Sequence, residues 1–182
     1  MEGERAASAK PHADNIAPSM MGGFTIIRGY DPLDVFQIPY PEDLRVVVIY
    51  PHIEIKTADA RRILKSQIKL SEAVTQWGNV AGLVSGLMLK DYELISRSLK
   101  DVIIEPIRSI LIPHYDEIRG LCMEMGAMGF NISGSGPTMF AMTRDEQTAE
   151  EISTAAARFL NTSGIDNTIF HSVISPEGAK VV

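Results

Sequence analysis

Apolar and polar positions change period along the chain, and the changes divide it into three sections. Residues 1–20 show little periodicity and crowd Glu, Arg, Ser, His, Asp and Asn around Pro11 and Pro18, which predicts a loop or a frayed helix leading into one. After Gly22-Gly23, short runs over residues 24–28 and 35–38 predict two strands joined at Asp31-Pro32. The continuous apolar run at 44–50 predicts a buried central strand.

The middle section turns to a period of 3.6. Ala73, Val74, Trp77, Val80, Ala81, Val84, Leu87 and Met88 recur at helical spacing, with Ser71 in position for an N-cap and Trp77 on the apolar face. Helices are predicted on either side, at 57–67 and 91–99. Two more, at 103–111 and 115–125, are punctuated by Pro106, Pro113 and Gly126. The last section reads as a run at 127–132, a Gly/Ser turn, a strand at 138–143, a helix at 146–160 and a strand at 168–174. A β-β-α-β tail after a strand and a set of helices predicts an α+β fold. Its antiparallel sheet would be covered by helices in a ferredoxin-like sandwich.

Composition narrows the class. With 17 Lys plus Arg against 23 Asp plus Glu, the formal net charge is −6. That argues against nucleic acid or an anionic membrane as the main partner, since both require an excess of cations on one face. The single Cys122 excludes an internal disulfide framework and lies on an apolar helical face, where a buried inert thiol is expected. The first fifteen residues contain no apolar signal segment, and the apolar runs at 46–50 and 80–89 are too short to cross a bilayer. The expected setting is the cytoplasm. Met20, Met21, Met123, Met125 and Met128 read as core filling, and no Ser-His-Asp or zinc-ligand spacing is present.

Three groups of residues could carry chemistry. The segment from Gly129 to Thr138 contains Ser133, Gly134, Ser135 and Gly136, but it matches neither a Walker A loop nor a dinucleotide fingerprint. It is either a hairpin turn whose glycines supply positive φ, or a loop whose backbone N–H groups and hydroxyls lie against an anion or support another loop that does. Near the N-terminus, Glu4, Ser8, His12, Asp14 and Asn15 could grip an amino or hydroxyl group and a Mg²⁺ ion. Equally, they could form an Asx turn and a solvated terminal charge. Thr57 and Arg61, at i and i+4 near a helix start, could hold a carboxylate, as could Arg108 in its apolar run; ordinary ion pairs to Asp59 and Glu105 are the alternative. No residue stands out as a catalytic acid, base or nucleophile.

Taken in order, several segments resemble the homoserine kinases of the GHMP small-molecule kinase superfamily. They are Glu4 with His12-Ala13-Asp14-Asn15, Gly22-Gly23-Phe24, Thr57 to Arg61, Gln76-Trp77-Gly78-Asn79, Asp101 to Arg108, Ile132 to Thr138, and Pro176-Glu177-Gly178. The resemblance implies ATP-dependent phosphorylation of the L-homoserine hydroxyl and a homodimeric enzyme. It further implies that Glu4 binds Mg²⁺, that His12 and Asp14 flank the substrate, that Thr57, Arg61 and Arg108 receive its carboxylate, and that Ser133 to Gly136 supports the phosphate-binding loop. The superfamily's Pro-x-x-x-Gly-Leu-Gly-Ser-Ser phosphate signature does not occur in the sequence. The resemblance therefore implies the end of an N-terminal domain over residues 1–42 and a C-terminal domain over 43–182, a piece of the enzyme expected to be inactive alone. Two other readings are a superfamily kinase with a different acceptor and a non-catalytic ferredoxin-like module that binds an amino acid.

Overall fold

The computed structural model describes residues 13–55 and 62–180. A short helix α1 (Ile16–Met21) leads through Gly22 and Gly23 into an antiparallel hairpin of β1 (Phe24–Tyr30) and β2 (Leu33–Ile38). Strand β3 (Arg45–Pro51) follows, then α2 (Leu70–Leu89), α3 (Tyr92–Ser98), the one-turn α4 (Glu105–Arg108) with a 3₁₀ turn at Ser109–Leu111, and α5 (Tyr115–Glu124). The chain closes with β4 (Gly129–Ile132), β5 (Met139–Thr143), α6 (Glu146–Thr162) and β6 (Asn167–Val173).

The main sheet has the order β4-β5-β3-β6, and every neighbouring pair is antiparallel. With helices between β3 and β4 and between β5 and β6, this is the βαββαβ ferredoxin-like arrangement that the periodicity predicts. Alternate residues of the strands serve two cores. Val47, Ile49, Met139 and Ala141 pack against Ile118 and Cys122 of α5 and Ile152, Ala156 and Leu160 of α6. Met142, of opposite parity on β5, joins Leu44, Ile38, Leu87 and Ile95, so α2 and α3 cover the other face at one end.

Most predicted elements match within a residue or two, and the differences have local causes. Helix α2 is capped by Lys69 and not by Ser71, so it starts at Leu70, and the Glu72 side chain reaches back to the Lys69 N–H. The predicted helix at 57–67 lies partly outside the described residues, and residues 63–69 are not helical. The span 103–111 forms one α turn and one 3₁₀ turn, because Asp101 Oδ1 accepts from both Ile103 and Ile104 N–H and fixes a turn ahead of Pro106.

Trp77 is 63% exposed, contrary to its expected place on a buried face. Helix α2 is apolar on two sides. Leu83, Val84 and Leu87 pack inward, whereas Leu70, Val74 and Trp77, spaced by three and four, form a second stripe open to solvent. Met20 and Met123 are likewise exposed and do not fill a core.

The glycines of two motifs are explained by contact between backbones. Gly23 N–H donates to Ser175 O, and Ala179 N–H donates to Ser19 O, so the C-terminal segment lies along the end of α1. A Cβ on Gly178 would sit 2.0 Å from Met20 O, and one on Gly22 would sit 2.5 Å from the carbonyl carbon of Glu177. Gly178→Ala must push these backbones apart and is expected to cost about 2–3 kcal/mol. Thermal unfolding should show it as a drop of several degrees, while Gly120→Ala, which meets nothing within 4 Å, should leave the midpoint within about a degree or raise it.

Candidate functional site

Glu4, His12, Thr57 and Arg61 lie outside the described residues. Asp14 is exposed in the turn before α1, and among the described residues no hydrogen bond or ion pair joins it to Arg108 or to the Gly/Ser loop. The structure does bring Arg108 to Ser133–Gly136, residues that the sequence separates by more than twenty positions.

The loop is both a hairpin turn and a shaped backbone surface. It joins β4 to β5, with Ser133 N–H donating to Thr138 O at 2.8 Å and Gly136 N–H to Ser133 O at 3.0 Å. Gly134 has φ +60° and Gly136 φ +78°, a region where an L side chain is strained. Space around Gly134 is open, so its conformation alone calls for glycine. Under Gly136 the side chains of Ile112 and Ile132 approach to 3.3 and 3.4 Å of a Cβ position, forming an apolar floor.

Arg108, on the last turn of α4, sends Nη1 to the carbonyl of Gly134 at 2.7 Å. Its Nε is buried with no hydrogen-bond partner among the described residues. A buried guanidinium N–H without an acceptor is costly, and the cost is recovered when an anionic oxygen reaches it. The alternative of an Arg108–Glu105 ion pair is not realised. Glu105 instead faces Arg119, with Nε 3.7 Å from Oε1.

Several residues with no evident role in the sequence hold this arginine in place. Gln76 Oε1 accepts from Val102 N–H at 2.9 Å, and Asn79 Nδ2 donates to Lys100 O at 3.0 Å. With Asp101 capping Ile103 and Ile104, they tie α2 to the segment that presents α4. The signal was the recurrence of Gln, Asn and Asp in otherwise apolar stretches, but only the fold shows that their acceptors and donors converge on residues 100–104. Beside them runs a cleft of about 260 Å³ between Gln76, Val80 and Leu83 of α2 and Asn131 and Phe140 of the sheet.

Two neighbouring groups, Glu105 and Tyr115, are shifted by burial. Burial raises the Glu105 carboxyl above its ordinary 4.5, with Tyr115 and Arg119 opposing the shift. The Tyr115 hydroxyl is buried without a geometrically complete hydrogen bond, and burial, followed by the nearby Glu105 carboxylate, pushes its pKa up. Cys122 is fully buried and its thiol is pushed up to about 12 by burial, which rules it out as a nucleophile at neutral pH.

This topology and this arginine-and-glycine-loop pairing can be compared with known proteins. Residues 83–162 match the family described as GHMP kinases C terminal. Over these residues the chain is similar to the GHMP-kinase C-terminal domain. The whole chain is 45% identical to a homoserine kinase from Chlorobium phaeobacteroides (strain BS1) and to another from Chloroherpeton thalassium. It spans 58% and 57% of those proteins' lengths. The crystal structure of homoserine kinase from Cytophaga hutchinsonii superposes over all of this chain and 58% of its own, with a TM-score of 0.97 and 46% identity. The superposition shows that the two proteins share the fold that the strand order describes.

The raised Glu105 pKa has a definite consequence for stability. The folded chain holds this proton more tightly than the unfolded one, so the contribution is full below pH 4.5 and is lost as pH rises through the raised folded value. Urea unfolding of wild type and Glu105→Gln is expected to show wild-type stability declining between pH 4.5 and neutrality, with part of that slope absent in the variant.

Proposed function

We propose that this chain supplies the acceptor-binding side of an ATP-dependent homoserine kinase, which phosphorylates the side-chain hydroxyl of L-homoserine. The observation that carries the proposal is the buried Nε of Arg108, without a hydrogen-bond partner among the described residues, beside the Ser133–Gly136 loop, in a chain 45% identical throughout to a homoserine kinase. A guanidinium fixed on one side by a backbone carbonyl can offer its remaining N–H groups to an amino acid's carboxylate in a single orientation. In this reading Thr57 and Arg61 would join Arg108 on the carboxylate, and His12 and Asp14 would flank the substrate.

Phosphoryl transfer needs positioning and charge stabilisation more than a strong base. ATP supplies the phosphoryl group, and Glu4 would hold its Mg²⁺ by carboxylate oxygens. The task of Arg108 is to orient the acceptor so that its hydroxyl points along the line of transfer. That of the Ser133–Gly136 loop is to present backbone dipoles and hydroxyls next to the phosphates. We further propose that the enzyme acts as a cytoplasmic homodimer. Among the described residues no helix is long and apolar enough to cross a membrane.

The test is steady-state kinetics of Arg108→Ala in a chain that also carries the superfamily's phosphate-loop segment. Loss of one charge-assisted contact, about 1.5–3 kcal/mol, should raise the homoserine KM by roughly one to two decades and leave the ATP KM within about twofold. Equal increases in both, or a change in kcat alone, would contradict the assignment of Arg108 to the acceptor.

A further inference from the structure

Away from this site, α6 and β6 bring together three metal-ligating side chains that the sequence spacing does not connect. Glu146 and Glu150 are one helical turn apart, at i and i+4, and therefore share a face of α6. His171 lies on the adjacent edge strand β6, paired with Val47 of β3. One ligand atom from each of the three lies within 4.8 Å of the other two.

Neighbouring side chains orient the imidazole. The Ser153 hydroxyl donates to Ala149 O at 2.7 Å, which commits its one hydrogen. Its oxygen, 3.3 Å from His171 Nδ1, can then only accept, so Nδ1 carries the proton. His171 Nε2 faces Glu146 Oε1 at 3.2 Å, which places an imidazole nitrogen and a carboxylate oxygen side by side at the mouth of the cluster. The other Glu146 oxygen accepts from Arg45 Nε at 2.8 Å, which turns Oε1 toward the histidine. The Glu150 side chain has no hydrogen bond or ion pair among the described residues.

We propose that Glu146, Glu150 and His171 bind a divalent transition-metal ion of the zinc class, with Ser153 and Arg45 orienting the ligands. One imidazole nitrogen and two carboxylate oxygens suit Zn²⁺ better than Mg²⁺ or Ca²⁺, which favour all-oxygen sets. The exposed position leaves the remaining coordination to water. This site is independent of the kinase reading.

The test is titration of the chain with Zn²⁺ in a non-coordinating buffer, followed by calorimetry and by the His171 ring signals in NMR. Expected are saturable one-to-one binding that shifts the His171 signals, a loss of affinity of about tenfold or more in both His171→Ala and Glu150→Gln, and no shift with Mg²⁺. Absence of saturable binding, or binding left within about twofold by both variants, would overturn the proposal. Because all three residues are exposed, the variants should fold, and their unfolding midpoints without metal provide the check.

Discussion

The hydrogen bond from Arg108 Nη1 to Gly134 O joins the two parts of the chain on which its chemistry depends. One is the short helical turn after Asp101, and the other is the β4–β5 hairpin. A guanidinium on an exposed arm would sample many rotamers. This one is latched at one nitrogen and buried at another, so little conformational freedom remains to be lost when an anion arrives. The latch in turn depends on the polar bonds of Gln76, Asn79 and Asp101, which fix the backbone leading to α4. The ferredoxin-like sheet provides the frame: the hairpin that ends in Gly134 is built from its β4 and β5.

Electrostatics and packing reinforce this geometry. Glu105 faces Arg119 and not Arg108, and among the described residues no carboxylate pairs with Arg108. An internal Arg108–Glu105 pair would have made the arginine a structural group. Beneath the loop, Ile112 and Ile132 pack closely against Gly136, so the turn rests on apolar side chains while its other surface faces outward. At the opposite end, the close backbone approach of Gly22 and Gly178 binds the N-terminal hairpin to the end of the chain.

Much of the fold was legible in the sequence because period two and period 3.6 alternate cleanly. Helices α2, α3, α5 and α6 and all six strands fall where the apolar spacing places them. What spacing could not supply was the partner of each apolar face. Trp77 shares its period with core residues, yet it stands on a second stripe of α2 that nothing among the described residues covers. Likewise, Arg108 was conspicuous as a cation among isoleucines, but its attachment to Gly134 joins positions far apart in sequence. The Gly/Ser segment could be read as a turn or as an anion-facing loop, and the geometry makes these compatible, since a hairpin turn with two positive-φ glycines presents the backbone that a ligand would meet. The Glu146–Glu150–His171 cluster was invisible for the same reason as the Arg108 latch: α6 and β6 must pack before its members meet.

The most direct measurement of the central claim is amide hydrogen exchange of residues 133–138 in wild type and Arg108→Ala. If Arg108 is the latch that orders this loop, exchange of the Gly136 amide, protected by its bond to Ser133 O, should speed up by about tenfold or more, corresponding to loss of roughly 1.5 kcal/mol of local stability. Exchange in α6 should stay unchanged. Identical loop exchange in the two proteins would show that the hairpin holds itself and would contradict the account.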